Sequence, residues 1–250
     1  MKNWFLPLVL LSTFISIPAA ESTSQPIELT FTPGLEFSYH SIAILCGEQK
    51  TANSFNLLSP KLTLQVDISD FITLEVLAGY HFAFAKDPVY FNALPLSLNW
   101  DRQKFQGLLL GIALAAEPFA FGDFFMKARG EFVFVLEKDK AWEVTLPLVS
   151  GQATGENAFT LITLDVTLHF QGLSGLTFFL GPRLNLLHGK FIAAETVADL
   201  QGQQEMSYKQ KNLIGPLAGA VLEIGDNWEL TFKASMLART ELSLAVVYVF

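Results

Sequence analysis

Apolar and polar positions alternate with a period of two along most of this chain. Trp228, Leu230, Phe232, Ala234 and Met236 are interleaved with Glu229, Thr231, Lys233 and Ser235. Pro60 to Ile68, Ile72 to Phe82, Met126 to Leu136, Trp142 to Leu148, Ile162 to Phe170 and Leu176 to Leu186 repeat the same arrangement. Successive side chains of a strand point to opposite faces, so each segment reads as a strand with one apolar and one polar face. Twelve strands are predicted, at 34–44, 58–68, 71–84, 88–100, 105–116, 122–136, 141–149, 158–170, 175–189, 212–223, 227–238 and 242–250, with eight or ten as alternative counts. The pattern carries no internal repeat beyond the spacing of a meander.

Composition decides which face is covered by what. The chain is 51% hydrophobic, 13% aromatic and only 16% charged, with a mean hydropathy of +0.37. Beyond residue 20 no apolar run approaches the length of a membrane helix, about 18 residues or more; Gly107 to Ala116 comes nearest. A chain this apolar with its apolar residues dispersed by alternation fits an antiparallel up-and-down β-barrel whose apolar face meets lipid. A membrane sheet must close on itself, because hydrocarbon cannot satisfy an open edge. A soluble sandwich or lipocalin-like barrel, with the apolar face as its core, is the competing architecture.

The connections add direction. Ser69-Asp70, Asp101–Lys104, Glu137–Lys140, Gln171–Ser174 and Gly225-Asp226 are short and polar, and in a twelve-strand meander they share one end. Residues 45–57, 150–157 and 190–211 fall at the other end, beside three shorter connections at 85–87, 117–121 and 239–241. Short periplasmic turns opposite longer outer loops are the outer-membrane arrangement. Within 190–211, Ile192, Thr196 and Leu200 have helical spacing, which suggests a short helix in a surface loop.

The first twenty residues follow a different rule. Lys2, the apolar stretch Trp4 to Ile17 and the small residues Ala19 and Ala20 have the order of a secretory signal, too short for an anchor helix. The expected organisation is a signal peptide at 1–20 and a barrel at 21–250. Net charge is −8. An acidic balance argues against nucleic acid as a partner, since that needs clustered positive charge. The lone Cys46 excludes an internal disulfide and reads as incidental.

The carboxyl end, Leu242-Ser-Leu-Ala-Val-Val-Tyr-Val-Phe250, resembles the terminal strand signal of bacterial outer-membrane β-barrel proteins. Phe250 is the terminal aromatic and Tyr248 the aromatic two before it, with Val246, Leu244 and Leu242 on the same face. The resemblance implies recognition by the barrel-assembly machinery, residence in the bacterial outer membrane and closure of this strand against the first. Trp100, Trp142, Trp228 and Tyr248 fall close to the inferred periplasmic strand ends, where amphipathic rings favour the interface.

The polar face is expected to line a lumen. Its candidate charges are Glu75, Lys127, Arg129, Glu131, Asp165, Arg183 and Lys233, with Asp165 and Arg183 within reach of each other on adjacent strands. Such a face makes either a charge-lined conduit for small solutes or a salt-bridged filling. Leu77, Val133, Val135, Phe179 and Leu187 also point inward and would narrow the path. Glu223 and Glu229 are expected to face each other across the Gly225 turn. The four histidines are scattered, no serine is matched with a base, and neither metal-ligand spacing nor a phosphate-cradling loop is present. The expectation is therefore a non-enzyme without metal or cofactor. It would pass small solutes, or else be a narrow barrel for hydrophobic small molecules or a surface-binding protein.

Overall fold

The computed structural model describes residues 30–47, 51–69, 71–86, 89–91, 98–100, 104–137, 140–145, 150–173 and 175–249. The predicted leader at 1–20 and the terminal Phe250 lie outside the described residues. Fourteen strands follow in chain order: β1 Thr30–Cys46, β2 Thr51–Ser69, β3 Ile72–Ala85, β4 Val89–Phe91, β5 Leu98–Trp100, β6 Lys104–Phe121, β7 Phe124–Glu137, β8 Lys140–Thr145, β9 Ser150–Leu173, β10 Leu176–Val197, β11 Leu200–Gln210, β12 Ile214–Ile224, β13 Trp228–Ser235 and β14 Arg239–Tyr248. Twelve of them form one sheet, and β4 and β5 form a separate two-stranded sheet.

The sheet closes. β1, β2, β3, β6, β7, β9, β10, β12, β13 and β14 pair in that order, and β14 returns to β1, so ten antiparallel strands make a ring. β11 is an eleventh member inserted between β10 and β1. It runs in the same direction as β12, since both are antiparallel to β10, so β11 and β12 form one descending strand broken at 211–213. β8 borders β9 beyond the end of β7.

The ring tapers as a result. The β13–β14 hairpin turns at 236–238, and above it β11 meets β1 directly through Ile44–Gln210 and Cys46–Tyr208. Ten strands thus narrow to eight. A register row that leaves β1 at Glu36 passes Lys61, Gly79, Leu109, Val135, Phe159, Gly189 and Tyr208 and comes back to β1 at Cys46. A stagger of ten residues over eight strands corresponds to a strand tilt of about 40°, within the usual range for a closed barrel. The junction is stitched by side chains. The Gln210 amide donates to the carbonyls of Asn212 and Ala238, at 2.7 and 2.9 Å, and the Asn212 amide donates to the Leu237 carbonyl at 3.2 Å.

Strand facing follows the alternation. Phe31, Leu35, Phe37, Leu62, Leu64, Leu108, Leu168, Leu180, Phe232, Leu242 and Leu244 are exposed on the outside. Their in-strand neighbours Glu36, Lys61, Glu75, Glu131, Asp165, Arg183, Glu241 and Ser243 are buried. Three expected elements differ. Residues 88–100 supply β4 and β5 rather than a wall strand, and 141–149 supplies only the rim strand β8. Residues 190–211 extend β10 and form β11 instead of a loop with a helix, because the alternation there continues past the membrane level. With two wall strands removed, β6 and β7 run opposite to the expected direction. The turn at Gly122, not 137–140, joins the short-turn end; its φ of 58° suits glycine. Trp100 and Trp142 accordingly belong to the opposite end, where 86–103 and 138–149 connect the strands. Trp228 and Tyr248 remain at the short-turn end, with their rings 4.8 Å apart.

Candidate functional site

The interior has two layers. In the ten-stranded part the inward positions carry paired charges. The Arg183 guanidinium on β10 donates twice to Asp165 on β9, at 2.6 and 2.7 Å, and also reaches Glu241 on β14. Two strands separate β10 from β14, so this contact crosses the lumen. Arg239 joins Glu241 as well. Arg129 on β7 binds Glu75 on β3 at 2.7 Å, across the intervening β6, and Glu131 on its own strand at 2.6 Å. Lys61 and Glu36 pair at 2.8 Å. Removing such charges from water is costly unless they are paired and hydrogen-bonded, and this belt supplies the partners.

The eight-stranded part is apolar and filled. Phe55 on β2 meets Phe159 on β9, the opposite strand of the eight-strand ring, with centroids 6.1 Å apart. Phe55 also lies 5.9 Å from Phe191 on β10, which packs on Tyr208 of β11 at 4.6 Å. Ile42, Ile44, Leu57, Val135 and Leu187 complete this core, and Cys46 is buried in it. Eight strands enclose a space that side chains can fill, and here they do. Between the layers is a cavity of about 20 Å³ lined by Ser38, His40, Ser59, Lys61, His81, Glu131 and Arg239 on its polar side. That is room for about one water molecule.

Of the residues expected to line the lumen, Glu75, Arg129, Glu131, Asp165 and Arg183 belong to the paired belt. Asp165 and Arg183, expected within reach of each other on adjacent strands, are direct register partners. Lys127 lies near the short-turn end and pairs with Glu117 at 3.2 Å in a half-exposed position, because β7 runs opposite to expectation. Lys233 is half-buried on the inner face of β13. Glu223 and Glu229 are register partners as anticipated, with Glu223 exposed. The alternation alone did not single out Arg239 and Glu241, since 239–241 read as a connection; their signal was the continuation of the Ser243 face by one step. A serine with a base was also missed. Ser59 lies 2.9 Å from the His81 ring, on the neighbouring strand.

No family model matches this chain, and no curated protein does. Among solved structures, it is similar to the translocator domain of the autotransporter NalP from Neisseria meningitidis, at 12% identity, covering 97% of this chain and 92% of that one, with a TM-score of 0.46. It is similar to the outer membrane protein AlkL in lipid bilayers at 10% identity, covering 94% and 97% of the two chains, with a TM-score of 0.40. The toluene transporter TodX of Pseudomonas putida matches at 7% identity over 90% and 89%, with a TM-score of 0.34. The class rests on the chain's own geometry: a closed ring with apolar side chains outside and paired charges inside is the architecture of a membrane-spanning β-barrel.

Proposed function

We propose that this barrel passes small solutes through a lumen that is closed at rest. The observation that carries the reading is the contact of Phe55 with Phe159 and Phe191 across the eight-stranded part. A hydrophobic constriction of this kind blocks hydrated ions by excluding water. The charged belt beneath it adds a second barrier, held by Arg183 and Arg129. Passage then requires the rings to move, and conductance at rest is low. The acidic, membrane-inserted chain has lipid as its surroundings and small solutes as its cargo, and the barrel-assembly machinery acts on it during biogenesis.

A second reading has support in the same layer. Phe55, Phe105, Phe159, Leu161 and Phe191 make an apolar interior that suits a hydrophobic small molecule better than an ion. Planar bilayers separate the two. The parent protein should give rare, small conductance steps, and Phe55→Ala with Phe191→Ala should raise their frequency at least tenfold. Steady large conductance from the parent defeats the closed-lumen reading. A silent double variant that binds a fluorescent fatty acid more tightly favours the hydrophobic cargo.

A further inference from the structure

The outside of the wall changes character where the ring narrows, and we propose that the step there binds the phosphorylated head of a multiply acylated glycolipid, of the lipopolysaccharide class, through Lys209, Lys211 and His188. Register brings these residues together. His188 on β10 pairs with Lys209 on β11, and Lys209 pairs with Leu45 on β1. The Lys211 amide donates to the Ala43 carbonyl at 2.8 Å, so Lys211 follows Lys209 on the outward face, while Tyr208 and Gln210 point inward and are buried. All three basic side chains are exposed. Neighbouring strands lie about 4.8 Å apart and same-face residues of one strand about 7 Å apart, so the three can converge on one head group.

Their height on the wall is that of lipid head groups. Toward the short-turn end the outside is apolar, with Leu186 on β10 half-buried and Ile214 and Met236 exposed by 68% and 63%. Tyr39 on β1 marks the same boundary: its hydroxyl donates to Asn56 at 3.2 Å on the exposed face, and amphipathic rings favour the interface. Beyond this level the outward residues of β11 are polar, namely Gln201, Gln203, Glu205 and Ser207. The β13–β14 hairpin ends at 236–238, with Leu237 74% exposed at its tip, while β11 and β1 continue past it as a pair. The hairpin therefore makes a shoulder. Acyl chains lie against Ile214 and Met236, and the head rests over Leu237 against the basic groups.

Local charge favours phosphate although the chain is acidic as a whole. The exposed carboxylates Glu117, Asp123, Glu223 and Asp226 stand at the short-turn end. At the step, Lys190 is already paired with Glu205 at 3.3 Å, but neither Lys209 nor Lys211 has a carboxylate partner among the described residues. Lysines at this height attract anionic lipid heads, and an ammonium is a compact donor to phosphate. A glycolipid fits better than a two-chain phospholipid. Two phosphates on a broad sugar head match basic groups spread over two strands, and several chains match a wide apolar shoulder. The inference does not depend on whether the lumen conducts.

The test uses full-length protein refolded in dodecyl maltoside, with its fold checked by heat-modifiable mobility. The probes are diphosphoryl lipid A, its dephosphorylated form and phosphatidylglycerol, and native mass spectrometry reads the lipid-bound states. The parent should bind diphosphoryl lipid A about tenfold more tightly than either of the others. His188→Gln with Lys209→Gln and Lys211→Gln should abolish that preference, and Lys209→Arg with Lys211→Arg should keep it. In the parent, lipid A should slow acetylation of Lys209 and Lys211 about tenfold while the exposed Lys86, on another wall, reacts as before. Equal binding of the phosphorylated and dephosphorylated forms by the parent overturns the proposal, as does acetylation that lipid A leaves unchanged. Phosphatidylglycerol bound as tightly as lipid A makes the step a general anionic-lipid surface and overturns the glycolipid.

Discussion

Arg183 illustrates how much one interior side chain can hold. It is 2% exposed and bridges Asp165 and Glu241 from different walls. Arg183→Met removes the cation and leaves two buried carboxylates short of a partner, which should cost about 3–5 kcal/mol. Urea titration of the barrel in lipid vesicles reads this directly. Lys190→Met, which breaks the exposed pair with Glu205, should cost less than about 1 kcal/mol. Equal effects from the two would mean that the belt does not hold the wall together. Facing is tested one residue apart on β13. Phe232 is 48% exposed on the outside and Lys233 is half-buried inside. A charge on the lipid face near the midplane costs roughly 2–4 kcal/mol. Phe232→Arg should therefore sharply reduce the heat-modifiable fraction, whereas Lys233→Glu should leave it near the parent level. The reverse order of effects would invert the strand.

At the scale of elements, the period-two pattern specified faces well and partners poorly. Every wall strand it marked has its apolar side chains where alternation put them, because facing depends only on neighbours in sequence. Partner choice depends on residues far along the chain. Residues 88–100 carry an alternation interrupted at Pro95 and read as a wall strand, yet Val89–Phe91 pairs with Leu98–Trp100 and β3 pairs with β6. The same locality hid the Ser59–His81 hydrogen bond, which exists only through the register of β2 with β3. It also hid the taper, which depends on a hairpin stopping short. That junction makes its own prediction. Gln210→Leu removes two hydrogen bonds at the point where β11 gives way to the β13–β14 hairpin. Leaving the buried Ala238 carbonyl without that donor should cost about 1–3 kcal/mol. Gln203→Leu, on the exposed face of β11, should stay within about 0.5 kcal/mol. A urea midpoint shared by both variants would mean that the stitch contributes nothing.

For the whole molecule, the decisive contact is the one that closes the ring. β1 and β14 pair from Gly34–Val247 to Ile42–Arg239, joining segments separated by nearly the full described chain. Until that seam forms, both strands present open edges that hydrocarbon cannot satisfy. Loop closure over so long a separation is slow and leaves the unclosed sheet prone to association. An assembly factor that holds β14 until the other strands are in place would remove this hazard, and the terminal strand is the segment it would have to read. Tyr248 packs against Trp228 at the short-turn end, on the lipid side of the seam, and the expected signal includes Phe250 two residues further on. Tyr248→Ala combined with Phe250→Ala should lower the amount of heat-modifiable barrel in the outer membrane severalfold. Export should be unchanged, since the substitutions leave the expected leader at 1–20 untouched, so the missing barrel should accumulate as unassembled, protease-sensitive chain. The same pair of substitutions should matter much less when the purified protein is refolded in detergent, where no factor is needed and β14 still offers its backbone to β1. Equal assembly of parent and variant in cells would remove the terminal aromatics from the mechanism. A defect equally large in detergent would assign them to packing alone.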